Sequence, residues 1–419
     1  MSLYEAADGI LETHVTWEDV EKQMQTTFGT KATFGEKKKT TNISDLKGFM
    51  SKIAMVEPDW QNVEEGKTLP DKFVVKISSQ LAFAALSKVM KFDGEDGFSE
   101  EKLKKLGVLT RDVHNREVEV YKLLVRFNHN DIPYTKVYGL KSFEDENDLK
   151  GYMILDFVPN IHSLSMHDSI PVDTLEHLIR GVSTFSALAE TLSPEEKAFA
   201  GGPEYLELFF HEIFNDEQLE RQFNTLRSSF NGEHSNLVEE SIKILQHYKS
   251  LVRKYTKISE LLGFKLVMNH GDLWQTNMLL TNNKEGKLKL EAIIDWQAVA
   301  TLSSGLDLSR LLMGCLNAED RRNRGNELLK LYHETFTNVL GKELFSFQEL
   351  QDSYNLYFPM MAIALLPMAI TFLENSGTIP DEEKANVREK TLSKMVAMME
   401  DLIEVHEYNL KNYPEFLRI

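Results

Sequence analysis

KLVMNHGDLWQTNMLL, residues 265–280, sets an acid and an amide five positions apart, Asp272 and Asn277, with apolar runs on both sides. His270 and Gly271 directly precede the acid. Eighteen positions beyond Asn277 the apolar run EAIID ends in a second acid, Asp295. Lys265–Asn269 and Leu288–Ile294 read as two strands joined through the HGD segment and the turn TNNKEGK, so residues 265–296 are expected to form a hairpin. A short loop then turns the acid, the amide and the second acid towards one point. Transfer of a phosphoryl group to a hydroxyl needs positioning, charge neutralisation and a place for the hydroxyl proton. Asp272 is the candidate catalytic base, and Asn277 and Asp295 offer the hard oxygen ligands that magnesium prefers. An Asp at a helix N-cap and an Asn in a turn would give part of the same pattern.

Further groups suit a bound triphosphate. Lys76 falls within the strand-like run KFVVKI, and a lysine facing inward from a buried strand needs a partner. Glu117, in HNREVEVYKLL, is the candidate, with Glu119 an alternative on another face of the same helix. In TTNISDLKGFMSKI, Gly48 and Ser51 stand where backbone amides and a hydroxyl could cradle phosphates, although an ordinary hairpin turn explains the same letters. Asp156, Phe157 and Val158 end the run YMILDFV, and their backbone could pair with an adenine edge. Asp307, in SGLDLSRLL, is expected either to bond back to the loop around Asp272 or simply to cap a helix.

The 419 residues carry 47 basic and 65 acidic side chains, a net charge of −18. That balance argues against a nucleic-acid partner or an anionic membrane, both of which demand a basic face. It also requires any ATP site to be locally basic or filled with metal. One cysteine, Cys315, lies in an apolar run and reads as a buried thiol. The acidic N-terminal stretch shows no signal-peptide core, so a reducing, cytoplasmic setting is expected. Residues 353–373 carry no charge over nearly a bilayer's span, but Pro359 and Pro367 interrupt them. A buried helix, kinked or broken at the prolines, is preferred to membrane insertion.

The first 158 residues read as a small mixed lobe that binds ATP. A helix over Trp17–Phe28 is followed by strand-like runs at 32–34, 48–56 and 73–77, helices over 99–106 and 113–127, and strands at 137–140 and 151–158. Residues 159–419 read as mainly helical, with the hairpin embedded in them. The fold class is therefore α+β, a bilobal protein-kinase-like arrangement with a small mixed α/β N-lobe and a large helical C-lobe. Ligands are expected in the cleft between lobes.

In their order, GFMSKIAMVEPDW, FVVKISSQ, NREVEVYKLL, YMILDFV, VMNHGDLWQTNMLL and IIDWQ resemble the ecdysteroid kinase-like family, within the choline kinase and aminoglycoside phosphotransferase superfamily. The likeness is to its uncharacterised nematode branch and covers nearly the whole chain. It implies that Asp272 is the base, Asn277 and Asp295 the magnesium ligands, and Lys76 and Glu117 the phosphate-positioning pair. It implies too that Asp156, Phe157 and Val158 form the adenine hinge, His270 supports the loop, and Asp307 steadies it. Trp296 and Gln297 follow Asp295 where protein kinases carry a Phe-Gly switch, and no activation loop follows, which favours a small alcohol over a protein as substrate.

The expected enzyme is an ATP- and magnesium-dependent small-molecule kinase acting on a steroid-like alcohol, an amino alcohol or a glycoside. A cage of Trp274, Tyr354, Tyr357 and Phe358 would suit a quaternary ammonium, and a pocket of Phe209, Phe210, Met360 and Met361 a sterol. A non-catalytic nucleotide-binding protein of the same fold is the alternative. A hydrolase using His270, Asp272 and Asp295 on a metal is a third reading.

Overall fold

The computed structural model describes residues 2–44, 50–89, 97–165, 167–212, 215–375, 379 and 381–419. The chain divides into two compact units. The smaller comprises Met1–Asn128, Tyr134–Ile161 and Ile294–Gln297; the larger comprises His129–Pro133, His162–Ile293 and Ala298–Ile419. The chain thus passes between units more often than a single division at residue 158 would require. Two short segments account for it. The carbonyl of Pro133 accepts from the Ile293 amide at 2.9 Å within the larger unit, and Asp295 is bonded to Lys76 within the smaller one.

In the smaller unit the elements run α1 (Trp17–Phe28), β1 (Thr33–Phe34), β2 (Lys39–Asn42), β3 (Ser51–Glu57), β4 (Trp60–Gln61), β5 (Phe73–Ser78), α2 (Leu81–Val89), α3 (Glu100–Phe127), β6 (Val137–Lys141) and β7 (Tyr152–Asp156). Five of the strands form a sheet in the order β2-β3-β5-β7-β6, every pairing antiparallel. Alternation along β5 divides its side chains between faces. Phe73, Val75 and Ile77 are fully buried and join Val20 and Met24 of α1, Val56, Tyr138 and Ile154 in one core. Lys76 is directed to the opposite face.

The Thr16–Asp19 capping box starts α1, and Gly29, at φ 57°, ends it. The two helices expected over 99–106 and 113–127 are one. Ser99 caps α3 by accepting from the Lys102 amide, and a buried stripe runs through Leu103, Gly107, Thr110, His114, Glu117, Tyr121 and Leu124. Gly107 sits inside that stripe, so a weak helix former is retained by packing.

The larger unit begins with α4 (Val172–Ala189), α5 (Pro194–Lys197), α6 (Glu204–Glu212), α7 (Asp216–Ser229), α8 (Ser235–Ser250), α9 (Val252–Tyr255) and α10 (Ile258–Leu262). Four strands follow, β8 (Leu266–Asn269), β9 (Met278–Asn282), β10 (Leu288–Ile293) and β11 (Ala300–Ser303). The chain closes with α11 (Leu306–Cys315), α12 (Ala318–Leu340), α13 (Phe347–Asn375), α14 (Asp381–Asn412) and α15 (Pro414–Leu417).

The single hairpin expected over 265–296 is not what forms. β9 pairs with β10 across the turn, whereas β8 pairs with β11, beyond Asp295. The loop carrying Asp272 is therefore held between two separate ladders. α13 continues through Pro359 and Pro367, and its residues 356–367 are all buried. Packing on α7, α8, α11 and α14 retains the helix where two prolines alone would break it. Among the described residues no helix is long and apolar enough to cross a membrane. The α+β class, with a small mixed unit and a larger, mainly helical one, is as the sequence led us to expect.

Candidate functional site

In the smaller unit, alternation places the Lys76 ammonium on the sheet face served by α3. Its Nζ donates to both oxygens of Glu117, at 2.9 and 2.7 Å, and to Asp295 Oδ1 at 2.6 Å. Glu117 belongs to the buried stripe of α3 and is 1% exposed. Glu119, the alternative, is directed outward and pairs with Lys122. Burial alone would lower the pKa of Lys76, but the charges of Asp295 and Glu117 reverse this and hold the ammonium well above its ordinary range. Burial pushes the Glu117 carboxyl up to about 7; Asp295 adds to the rise and Lys76 opposes it. One cation thus serves two carboxylates.

Asp295 adopts φ 64°, a left-handed conformation that Asp tolerates better than most side chains. It directly follows β10 and Ile294 and precedes a short 3-10 turn whose first residue, Trp296, is fully buried. The second Asp295 oxygen accepts only a long bond, 3.3 Å, from Gln297 Nε2.

The other expected nucleotide contacts are distributed unevenly. Ser51 opens β3, buried and opposite Ser78; Gly48 lies outside the described residues. Asp156 ends β7, and its Oδ1 accepts from the Tyr138 hydroxyl at 2.8 Å. In register with Phe73, it lies on the α1 face of the sheet, away from Lys76. Its side chain is therefore occupied elsewhere, and any contact with a base would fall to backbone. Phe157 and Val158 follow as half-buried, non-strand residues.

In the larger unit, the loop after β8 is fixed from α11. Asp307 in its first turn accepts from the His270 amide at 2.6 Å and the Gly271 amide at 2.9 Å. It bonds back to the loop, and Gly305 occupies the N-cap instead. Burial raises the pKa of Asp307, while His270, the two amides and Arg310 pull it down. Gly271 has φ +83°, and a Cβ there would stand 2.1 Å from the carbonyl oxygen of Ala298, so only glycine fits. His270 is buried, and its Nδ1 accepts from the Asp272 amide at 3.3 Å.

The Asn277 amide nitrogen donates to the Asp272 carbonyl at 2.8 Å and to Asp272 Oδ2 at 3.0 Å. Its own Oδ1 is then the atom left for a cation, a hard ligand of the kind magnesium takes. Asp295 offers carboxylate oxygens of the same character. Each of these oxygens, taken by itself, is a donor of the kind magnesium accepts when phosphates and water supply the rest. Among the described residues there is no group of three or more His, Cys, Asp or Glu that could hold a metal.

Arg310 was missed in the sequence. Its guanidinium contacts Asp272 Oδ1 at 2.6 Å and lies 5.5 Å from the centre of the Trp274 ring. The signal was present: Asp307 and Arg310 are three apart on one helix and share a face. The residues offered as acceptor cages belong instead to the core. Phe210, Tyr357, Phe358, Met360 and Met361 are part of the large hydrophobic cluster and Tyr354 packs against it. Trp274 stands beside Arg310, and the Phe209 side chain lies outside the described residues.

A family model described as DUF1679, uncharacterized oxidoreductase dhs-27, matches residues 3–410. The chain belongs to this family. One relative of this DUF1679 chain, an uncharacterized kinase-like protein of Caenorhabditis elegans, is 36% identical over 107 residues. That match spans 26% of this chain and only 28% of the relative, so it is a partial one. The nematode kinship that the motifs implied is present in it.

Remote similarity extends to solved structures. A microcompartment-associated aminopropanol kinase is 11% identical, with 92% of this chain and 97% of that one covered and a TM-score of 0.44. A spectinomycin phosphotransferase, in complex with ADP and spectinomycin, is 14% identical, with 93% and 99% covered and a TM-score of 0.43. Plasmodium vivax ethanolamine kinase is 10% identical, with 85% and 81% covered and a TM-score of 0.36.

Proposed function

We propose that this chain is an ATP- and magnesium-dependent phosphotransferase that moves the γ-phosphoryl group to a hydroxyl of a small molecule. The observation that carries the reading is the Lys76 ammonium, buried between a helix glutamate and the acid that follows the IID run. A buried lysine is stabilised by such partners, and a lysine so fixed is a point charge ready for phosphate oxygens. Magnesium, held through Asn277 and Asp295, would neutralise charge on the phosphates.

Asp272 then orients the acceptor hydroxyl and takes its proton. The hydroxyl oxygen forms a bond to the γ-phosphorus as the bond to the bridging β,γ-oxygen breaks, and ADP leaves with that electron pair. His270, Gly271 and Asp307 keep the loop in place, and the backbone at Asp156, Phe157 and Val158 is the hinge for the base. Ser51 would offer its hydroxyl to the phosphates. The acceptor is a steroid-like alcohol, an amino alcohol or a glycoside, and the net charge of −18 speaks against nucleic acid. The single cysteine, buried, suits a cytoplasmic enzyme.

The family's description speaks of an oxidoreductase. A dinucleotide-binding unit is built on parallel strands joined by crossover helices, whereas every pairing of the five-stranded sheet here is antiparallel. A nucleotide-binding protein without activity would lack turnover but retain Mg-ATP binding. Incubation of a small-molecule extract with γ-labelled ATP separates these readings. We expect labelled product from the wild type and a roughly 10²–10⁴-fold lower rate for Asp272→Asn with the fold intact, the range for a lost general base. Equal rates for the two proteins would sink the assignment.

A further inference from the structure

We infer that Arg310 is a positioning residue for phosphoryl transfer, acting through Asp272; the inference rests on the kinase reading above. Each oxygen of the Asp272 carboxylate has its own partner. Arg310 Nη2 holds Oδ1 at 2.6 Å, and the Asn277 amide holds Oδ2 at 3.0 Å. A carboxylate gripped at both oxygens cannot rotate about its terminal bond, so the remaining lone pairs keep one direction.

Arg310 is itself fixed. Its side chain is 12% exposed and lies against Trp274. Its Nε is buried without a hydrogen-bond partner. A buried donor left unpaired is unfavourable, so the guanidinium is placed to meet Asp272 and not to satisfy all its own donors. Arg310 also continues a pattern. Along one helix, Asp307 holds the backbone of His270 and Gly271, Arg310 holds the side chain of Asp272, and Cys315 Sγ lies 3.4 Å from Gln275 Oε1. α11 therefore sets the loop from residue 270 to residue 275 by side-chain contacts spaced along its length. Phosphoryl transfer through a loose transition state asks the base for orientation more than for strength. A charged contact from Arg310 Nη2 to one oxygen supplies that orientation.

The test uses Mg-ATP as probe, with release of γ-phosphate to water followed under single-turnover conditions. Arg310→Met is expected to lower the rate about 10–100-fold with the half-saturating Mg-ATP concentration unchanged, and Arg310→Lys to recover part of the loss. In an Asp272→Asn background, Arg310→Met should cause no further loss, a coupling that a purely structural role would not produce. A wild-type rate in Arg310→Met, or losses that multiply in the double variant, overturns the inference. Mg-ATP-dependent thermal stabilisation of the wild type separates the two levels. Without it, or with it but no measurable release from the wild type, the kinase reading fails and the inference with it; with both present, a wild-type rate in Arg310→Met overturns only the role of Arg310.

Discussion

Replacing Lys76 with methionine removes the one ammonium that serves Glu117 and Asp295, while keeping most of the aliphatic volume. Glu117 is 1% exposed, so its carboxylate cannot recover the lost bonds from water. Removing one partner of a buried pair costs roughly 3–5 kcal/mol, because the charge left behind is uncompensated. Glu117 can relieve this by taking up a proton. Its folded-state pKa, about 7 in the wild type, is already above the unfolded value of 4.5, and losing Lys76 moves it further up.

The sign follows from proton linkage. A carboxyl with a raised folded pKa contributes stability that is fully present below the unfolded value and lost as pH rises through the folded one. Lys76→Met should therefore lose the full 3–5 kcal/mol at pH 8 and clearly less at pH 6. Adding Glu117→Gln should restore about half the loss at pH 8, since a neutral amide no longer needs the cation. Urea unfolding followed by tryptophan fluorescence at the two pH values reads all three proteins. A loss below about 1 kcal/mol at pH 8, or a double variant no better than the single, would refute the buried-charge argument.

Mg-ATP at a hundred times its dissociation constant should stabilise the wild type by about 2.7 kcal/mol in thermal unfolding. Asp295→Ala should abolish that gain, as should EDTA; a full shift in EDTA would show that the metal is not needed. His114 is buried, and burial lowers its pKa to about 4. Its contribution is then present above the unfolded value of 6.5 and lost as pH falls towards 4, roughly 1.4 kcal/mol per pH unit in that window. His114→Gln should flatten this slope in urea midpoints, and parallel profiles for the two proteins would contradict it. Gly271→Ala must push the loop off the Ala298 carbonyl and should destabilise by about 2–3 kcal/mol while sharply lowering turnover; unaltered unfolding would show that the loop gives way freely.

Much of the smaller unit's chemistry could be read from local periodicity. Period two along FVVKIS places Lys76 against the grain of Phe73, Val75 and Ile77. The choice between Glu117 and Glu119 also lay in the letters, since only Glu117 falls on the stripe running from Leu103 to Leu124. What stayed hidden depends on contacts distant in sequence. Ala300–Ser303, ATLS, has neither the length nor the bulk of an obvious strand, and it exists because β8 offers it a ladder. Without β11, β8 was assigned to β10 and one hairpin was expected where there are two pairs. β2 was read as a turn for a similar reason, since KTTN has no apolar alternation and is held only by its register with β3. The aromatic and methionine residues of α13 show the opposite error. Composition alone cannot separate a pocket wall from a core helix, and packing made them core.

The charge pattern of the smaller unit carries the case for a metal further than spacing can. On the proposed reading, a chain of net charge −18 would bind a triphosphate against its own field. A locally basic site would answer this, but Lys76 is shared between two carboxylates, so the cluster is short of positive charge. Burial raises Glu117 to about 7, and the neighbouring charge of Asp295 adds to that rise. A bare triphosphate would add negative charge to a cluster that already holds too much. On the proposed reading, a divalent cation arriving with the phosphates would reverse the balance, and Asp295, with one oxygen on Lys76 and the other held at 3.3 Å by Gln297, is the carboxylate that would turn to it. Lys76, if released from Asp295 and still held by Glu117, would then have a donor to give to phosphate. The ion pairs of Lys76 with Glu117 and Asp295 are thus the reason the proposed reading requires metal and nucleotide together.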